Sequence, residues 1–246
     1  MRFRLLLCVL SLSLLVAPVH SQEKPAFDAV RARMVEVIRM EALVSGEITG
    51  VREIDARVLA AMDKVPRHEF VAPELAPYAY EDVPLPIDFE QNLTQPFIAA
   101  LMTHLLKVEP GDTVFETGTD SGYQAALLAE LGAEVYSVEV IEPLAATAAE
   151  RLKRLGYRSV VVKADDGYFG WAEHGPYDAI LVKEALDHLP PPLLAQLKPG
   201  GRMVAPIGPS AGAQDLMLIE KDAQGNLHRT RHLPVRFSPL QGGQRT

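Results

Sequence analysis

The stretch Val114-Phe115-Glu116-Thr117-Gly118-Thr119-Asp120-Ser121-Gly122-Tyr123-Gln124 admits few folds. An apolar run breaks into a turn of small residues, and an Ala/Leu-rich segment over 125–131 follows. The pattern predicts strand, tight loop, helix. Such a loop aims backbone N–H groups and a positive helix end at a bound group, and its glycines allow close approach. About twenty residues on, Val135-Tyr136-Ser137-Val138-Glu139 reads as a second strand ending in an acid. A carboxylate there can accept hydrogen bonds from both hydroxyls of a ribose.

Around this unit, strand and helix alternate. Strands are expected over 113–116, 135–139, 159–163, 177–182 and 202–206, with helices over 123–131, 143–155 and 191–197. Continuous apolar strands separated by helices imply a mostly parallel sheet covered on both faces. The C-terminal strands, 215–221 and 227–237, flank the turn sequence Asp222-Ala223-Gln224-Gly225-Asn226 and predict an antiparallel hairpin. Pro234 places the second of them at an edge or a bulge. Before the sheet, helices are expected over 29–43, 55–64 and 95–106, with an irregular proline-containing stretch at 67–92. The fold class is therefore α/β, Rossmann-like, with an antiparallel C-terminal hairpin and a helical N-terminal extension. Residues 22–246 read as one domain, 22–111 as its helical and substrate-side segment and 112–246 as its cofactor-binding core.

The first 21 residues read separately. Arg2 and Arg4 precede an apolar run over 5–16 that is too short to span a bilayer comfortably, and Ala17-Pro18-Val19-His20-Ser21 offers a cleavage site. This secretory pattern predicts a periplasmic or secreted protein with no stable membrane association after cleavage. An uncleaved anchor and a misassigned start are the alternatives, and an unused signal would leave the protein cytoplasmic. Cys8, the only cysteine, would leave with the signal. A catalytic thiol, a thiolate metal site and a disulfide framework are then excluded. The net charge of −8 argues against a nucleic-acid binder. His228 and His232 are expected on one face of a strand but about 13 Å apart, too far to share a metal.

The arrangement resembles the S-adenosyl-L-methionine-dependent methyltransferases, and within them the protein-L-isoaspartate O-methyltransferase family. Beyond the glycine loop, the segments that carry the resemblance run from Val58 through Lys64-Val65-Pro66-Arg67-His68-Glu69-Phe70 to Val71. They continue with Pro84-Leu85-Pro86-Ile87, Thr94-Gln95-Pro96, Asp166-Gly167-Tyr168-Phe169-Gly170-Trp171 and Leu197-Lys198-Pro199-Gly200-Gly201-Arg202. The resemblance implies that Glu116, Gly118, Thr119, Ser121 and Gly122 hold the methionine end of S-adenosyl-L-methionine. It implies that Glu139 holds the ribose, and that Asp166 with Gly167 lies beside the adenine. Thr94 stands at the place of the family's active-site hydroxyl. The implied reaction is methyl transfer to the carboxylate of isoaspartyl residues in damaged proteins or peptides.

Some positions depart from the family pattern. Asp120 replaces a loop glycine and Asp165 another glycine. Glu90 and Asn92 replace a glycine and a threonine, and Lys183-Glu184 follows the fourth strand where small residues are usual. A lysine there would repel a sulfonium. Asp120 would either repel the cofactor's carboxylate or attract its ammonium. Read without the family, Thr94 equally suits a helix N-cap, Asp166-Gly167 suits a turn, and Trp171 suits core packing. Two further functional readings stay open: an exported, non-catalytic binding or scaffold protein on this fold, and a methyltransferase for another carboxylate or small molecule.

Overall fold

The computed structural model describes residues 27–242. The signal pattern over 1–21 lies outside them. Six α-helices and nine strands follow in chain order among the described residues. They are α1 (Phe27–Thr49), α2 (Ala56–Lys64), β1 (Leu85–Pro86), β2 (Asn92–Leu93), α3 (Pro96–Leu106), β3 (Thr113–Thr117), α4 (Tyr123–Glu130) and β4 (Glu134–Glu139). Then come α5 (Glu142–Leu155), β5 (Val160–Ala164), β6 (Tyr177–Leu181), α6 (Pro191–Gln196), β7 (Leu197–Ile207), β8 (Gln214–Lys221) and β9 (Leu227–Val235).

The main sheet has seven strands in the order β5-β4-β3-β6-β7-β8-β9. Its first five are parallel and its last two pairings antiparallel. Alternation along β3 and β4 sorts side chains onto the two faces. Val114 and Val135 join a core built with α1 to α4, whereas Phe115 and Val138 join a second core against the α6 side. From β3 the chain steps outward to β4 and β5, then returns to place β6 on the other side of β3. The strand order reverses between β3 and β6, and the carboxyl ends there diverge into a crevice.

Some elements differ from the sequence expectation. Helix α1 runs to Thr49 because its buried stripe continues past Ile38 with Ala42, Gly46 and Thr49. Those small residues carry no strong apolar signal, and Gly46 leaves room for the Arg52 side chain. Strand β7 begins at Leu197, not Arg202, since Leu197 pairs with Tyr177 before a register shift brings Arg202 opposite Ala179. Pro199-Gly200-Gly201 therefore forms an irregularity within a strand and not a helix stop. The 67–92 stretch holds two 3₁₀ turns, Arg67–Phe70 and Pro73–Tyr78, and the small β1–β2 ladder. Pro234 lies on the edge strand β9, beside a register shift opposite Asp215 and Met217. That bulge separates the two histidines expected on one face. His228 is exposed against Asp222, while His232 turns inward, its Nδ1 2.5 Å from the Thr49 carbonyl oxygen.

Arg67 knits the N-terminal segments together. It is fully buried. Its Nε donates to the Ala79 carbonyl and its Nη2 to the Thr94 carbonyl, each at 2.8 Å. Its guanidinium lies 4.8 Å from the ring centre of Tyr123, at the start of α4. Carbonyl dipoles and a π face offset the desolvation of this cation. Truncation in Arg67→Ala strands two buried carbonyls, so stability should fall by about 3 kcal/mol or more in urea titration. Arg67→Lys should recover only part of that loss, lacking the planar fork.

Candidate active site

At the β3–β6 crevice a cavity of about 390 Å³ opens. Its wall includes Thr94, Gln95, Gly118, Asp120, Glu139, Lys183 and Glu184, together with residues 234–239 and Gln241 after β9. The turn after β3 is made by three residues in the left-handed region, Gly118 (φ 63°), Asp120 (φ 52°) and Gly122 (φ 96°). Glycine adopts that region freely, and Asp more readily than most residues. A Cβ on Gly118 would overlap the Glu184 carboxylate, which gives a second, steric reason for glycine there.

The loop is held from β4. Glu139 accepts from the Asp120 N–H at 2.9 Å through Oε2 and from the Ile141 N–H at 3.0 Å through Oε1. Each carboxylate oxygen keeps a further lone pair, and the side chain lines the cavity. Burial pushes the Glu139 carboxyl up, against the pull of those two N–H groups. Deeper in, Ser137 Oγ donates to Glu116 Oε2 at 2.6 Å and shares a 2.6 Å hydrogen bond with Thr119 Oγ1. Glu116 is fully buried.

Lys183, two residues past the end of β6, completes this network. Its Nζ donates to Asp120 Oδ2 at 3.0 Å and lies 3.3 Å from Glu116 Oε1. Burial works against its charge, but the Asp120 and Glu116 carboxylates together hold the ammonium well above the ordinary lysine value. The lysine expected to repel a sulfonium is thus matched by two anions. Asp120, expected to act on the cofactor alone, has a protein partner. Beside them Glu184 accepts from the Thr117 hydroxyl, and from its neighbour's N–H at 3.2 Å. Burial pushes its carboxyl up to about 8.

The structure gathers Thr94, Gly118 and Glu139 on one cavity, with Glu116 directly behind Lys183. Thr119, Ser121, Gly122, Asp166 and Gly167 lie outside its lining. Gly122 opens α4, and Ser121 is buried beside it. Asp166 accepts from the Tyr168 N–H at 2.9 Å, and Gly242 packs against its carboxylate. Asp166 caps the short 3₁₀ turn Gly167–Phe169 through its bond to Tyr168. The N-cap of α3 is Gln95, not Thr94. Thr94 instead gives its carbonyl to Arg67, and its hydroxyl takes no hydrogen-bond partner among the described residues. Trp171 packs half-buried on the second core. Glu90, at a usual glycine position, adopts φ 58° next to Phe89 at 59°. The wall contributed by residues 234–241 had no signal in the sequence, because its place depends on where β9 ends.

A family model described as protein-L-isoaspartate(D-aspartate) O-methyltransferase matches residues 38–245. The chain belongs to this family. A protein-L-isoaspartate O-methyltransferase from Syntrophobacter fumaroxidans is 52% identical over 237 residues, covering 96% of each chain. One from Cupriavidus necator is 54% identical over 212 residues, covering 86% of this chain and 82% of the relative. A solved protein-L-isoaspartate O-methyltransferase superposes with TM-score 0.74 at 28% identity, covering 86% of this chain and 66% of the other. A Plasmodium falciparum structure in complex with S-adenosyl-L-homocysteine shares the fold, with TM-score 0.71 at 22% identity over 87% of this chain and 99% of that one. Asp120 and Lys183, each expected from the sequence to disturb the cofactor, touch each other.

Two outcomes follow from this geometry. Glu184 has a folded-state pKa raised from 4.5 to about 8, so its contribution to stability is full below 4.5 and lost as pH rises towards 8. Thermal melts between pH 5 and 8 should show that decline, and Glu184→Gln should flatten it. A Cβ on Gly167 would sit 2.8 Å from Thr117 Cγ2. Gly167→Ala should therefore cost about 1–3 kcal/mol, and adding Thr117→Ser, which deletes that methyl, should relieve much of it in the same denaturation assay.

Proposed function

We propose that this protein methylates the carboxylate of L-isoaspartyl residues in damaged proteins, with S-adenosyl-L-methionine as donor and Thr94 as the hydroxyl that positions the acceptor. One observation carries this: Thr94, whose hydroxyl has no hydrogen-bond partner among the described residues, lines the same cavity as Glu139 and the Gly118 turn. Family membership over residues 38–245 supports the reaction class.

The residues present fit the cofactor. A glycine turn too tight for a Cβ, a cavity-lining acid with free lone pairs, and a buried carboxylate oxygen lacking a hydrogen bond, Glu116 Oε1, all meet here. Glu116 and the Gly118–Gly122 turn would hold the amino-acid end and Glu139 the ribose. When bound, S-adenosyl-L-methionine supplies an electrophilic methyl group on a sulfonium. An acceptor carboxylate is already a nucleophile, so this chain need not supply a strong base. Its task is alignment, which is worth orders of magnitude in rate. Thr94 can donate its O–H to one acceptor oxygen and leave the other free to react. Arg67 fixes the Thr94 backbone through the 2.8 Å bond to its carbonyl. Gln91, Asn92 and Gln95, with residues 234–239, line the cavity and would limit water at the reacting atoms once the acceptor is bound.

The assay is base-labile methyl ester formation on an isoaspartyl peptide, with the normal aspartyl peptide as control. Thr94→Ala should lower kcat about 100-fold while cofactor affinity stays unchanged, and Thr94→Ser should restore most of the rate. Equal turnover of both peptides would overturn the substrate assignment.

We also propose that residues 1–21 direct export. N-terminal sequencing of protein recovered outside the cytoplasm should then begin at Gln22.

A further inference from the structure

Lys183 and Asp120 form a hydrogen-bonded pair on the cavity wall. Lys183 is only 7% exposed and still lines the cavity, so its ammonium is a fixed charge and not a solvated one. An ammonium carries three N–H donors. One reaches Asp120 Oδ2 at 3.0 Å, and the approach to Glu116 Oε1 at 3.3 Å leaves that oxygen without a hydrogen bond. Donor capacity on Nζ and acceptor capacity on Glu116 and Asp120 therefore remain at one place. Asp120 is locked by its own backbone, whose N–H is bound to Glu139 at 2.9 Å. A fixed cation between fixed anions is complementary to a zwitterion. A lone lysine would repel a sulfonium, and a lone aspartate would repel a carboxylate. Paired, each cancels the other's long-range field while keeping a short-range contact to offer.

We infer that Lys183 and Asp120 together clamp the amino-acid end of the cofactor, Lys183 taking its carboxylate and Asp120 its ammonium. The inference rests on S-adenosyl-L-methionine being the cofactor.

The test is calorimetric titration of the purified full chain with two ligands. One is S-adenosyl-L-homocysteine. The other is 5′-methylthioadenosine, which keeps the adenosine and thioether but lacks the amino-acid group. Lys183→Met should weaken S-adenosyl-L-homocysteine about 10- to 100-fold, the worth of a charge-assisted hydrogen bond. Binding of 5′-methylthioadenosine should stay within about twofold. Lys183→Arg should retain most of the first affinity. The double variant Asp120→Gly with Lys183→Ala should lose less than the sum of its single changes. Equal loss of both ligands, or unchanged S-adenosyl-L-homocysteine binding, overturns the clamp. If Lys183→Met does not melt cooperatively, the wild-type protein decides with the carboxamide of S-adenosyl-L-homocysteine: weaker binding than the acid supports the clamp, and equal binding overturns it. Wild-type protein that binds neither ligand would instead overturn the cofactor assignment itself.

Discussion

The catalytic end of the molecule depends on one awkward turn. Between β3 and α4 the chain enters the left-handed region at Gly118, Asp120 and Gly122. Such a turn sends the strand end directly into a helix start at the edge of the crevice. The turn is not self-supporting. Glu139 grips the Asp120 N–H from β4, and Glu184 fills the space that a Gly118 side chain would need from β6. Parallel pairing of β3 with β4 and β6 puts both supports at the same level.

The second determinant is charge burial. Glu116 is fully buried and Lys183 nearly so, and neither would be ionised alone at tolerable cost. Together with Asp120 and the Ser137 hydroxyl they form a network that is favourable only when complete. A member removed singly leaves an uncompensated charge. Arg67 applies the same logic on the substrate side, spending a buried cation on two carbonyls and so fixing the segment that carries Thr94.

Much of this was legible in the residues. Apolar runs and helix spacing marked the sheet, its parallel character and its antiparallel end. The register of the Gly118–Gly122 loop with Glu139 marked the crevice, because the βαβ unit has a nearly fixed length. Small residues hid the end of α1, since Ala42, Gly46 and Thr49 are buried without being strongly apolar. Pro234 marked β9 as an edge or bulged strand, but not that the bulge would turn His232 inward. Asp120 and Lys183 stood out individually, but their contact spans 63 residues of sequence.

The sequence by itself determined the local chemistry: where glycine permits a left-handed turn, which strand ends in an acid, and which segment carries the hydroxyl. These depend on neighbours within a few residues, and backbone sterics and side-chain period act at that range. Only the tertiary structure decided how the charges cancel and what closes the cavity. Lys183 reaches Asp120 and Glu116 because β6 lies next to β3, and residues 234–241 form a wall because β9 ends at the sheet edge and the chain turns back. Electrostatic pairing and cavity closure depend on distance in space, which the order of residues along the chain does not state.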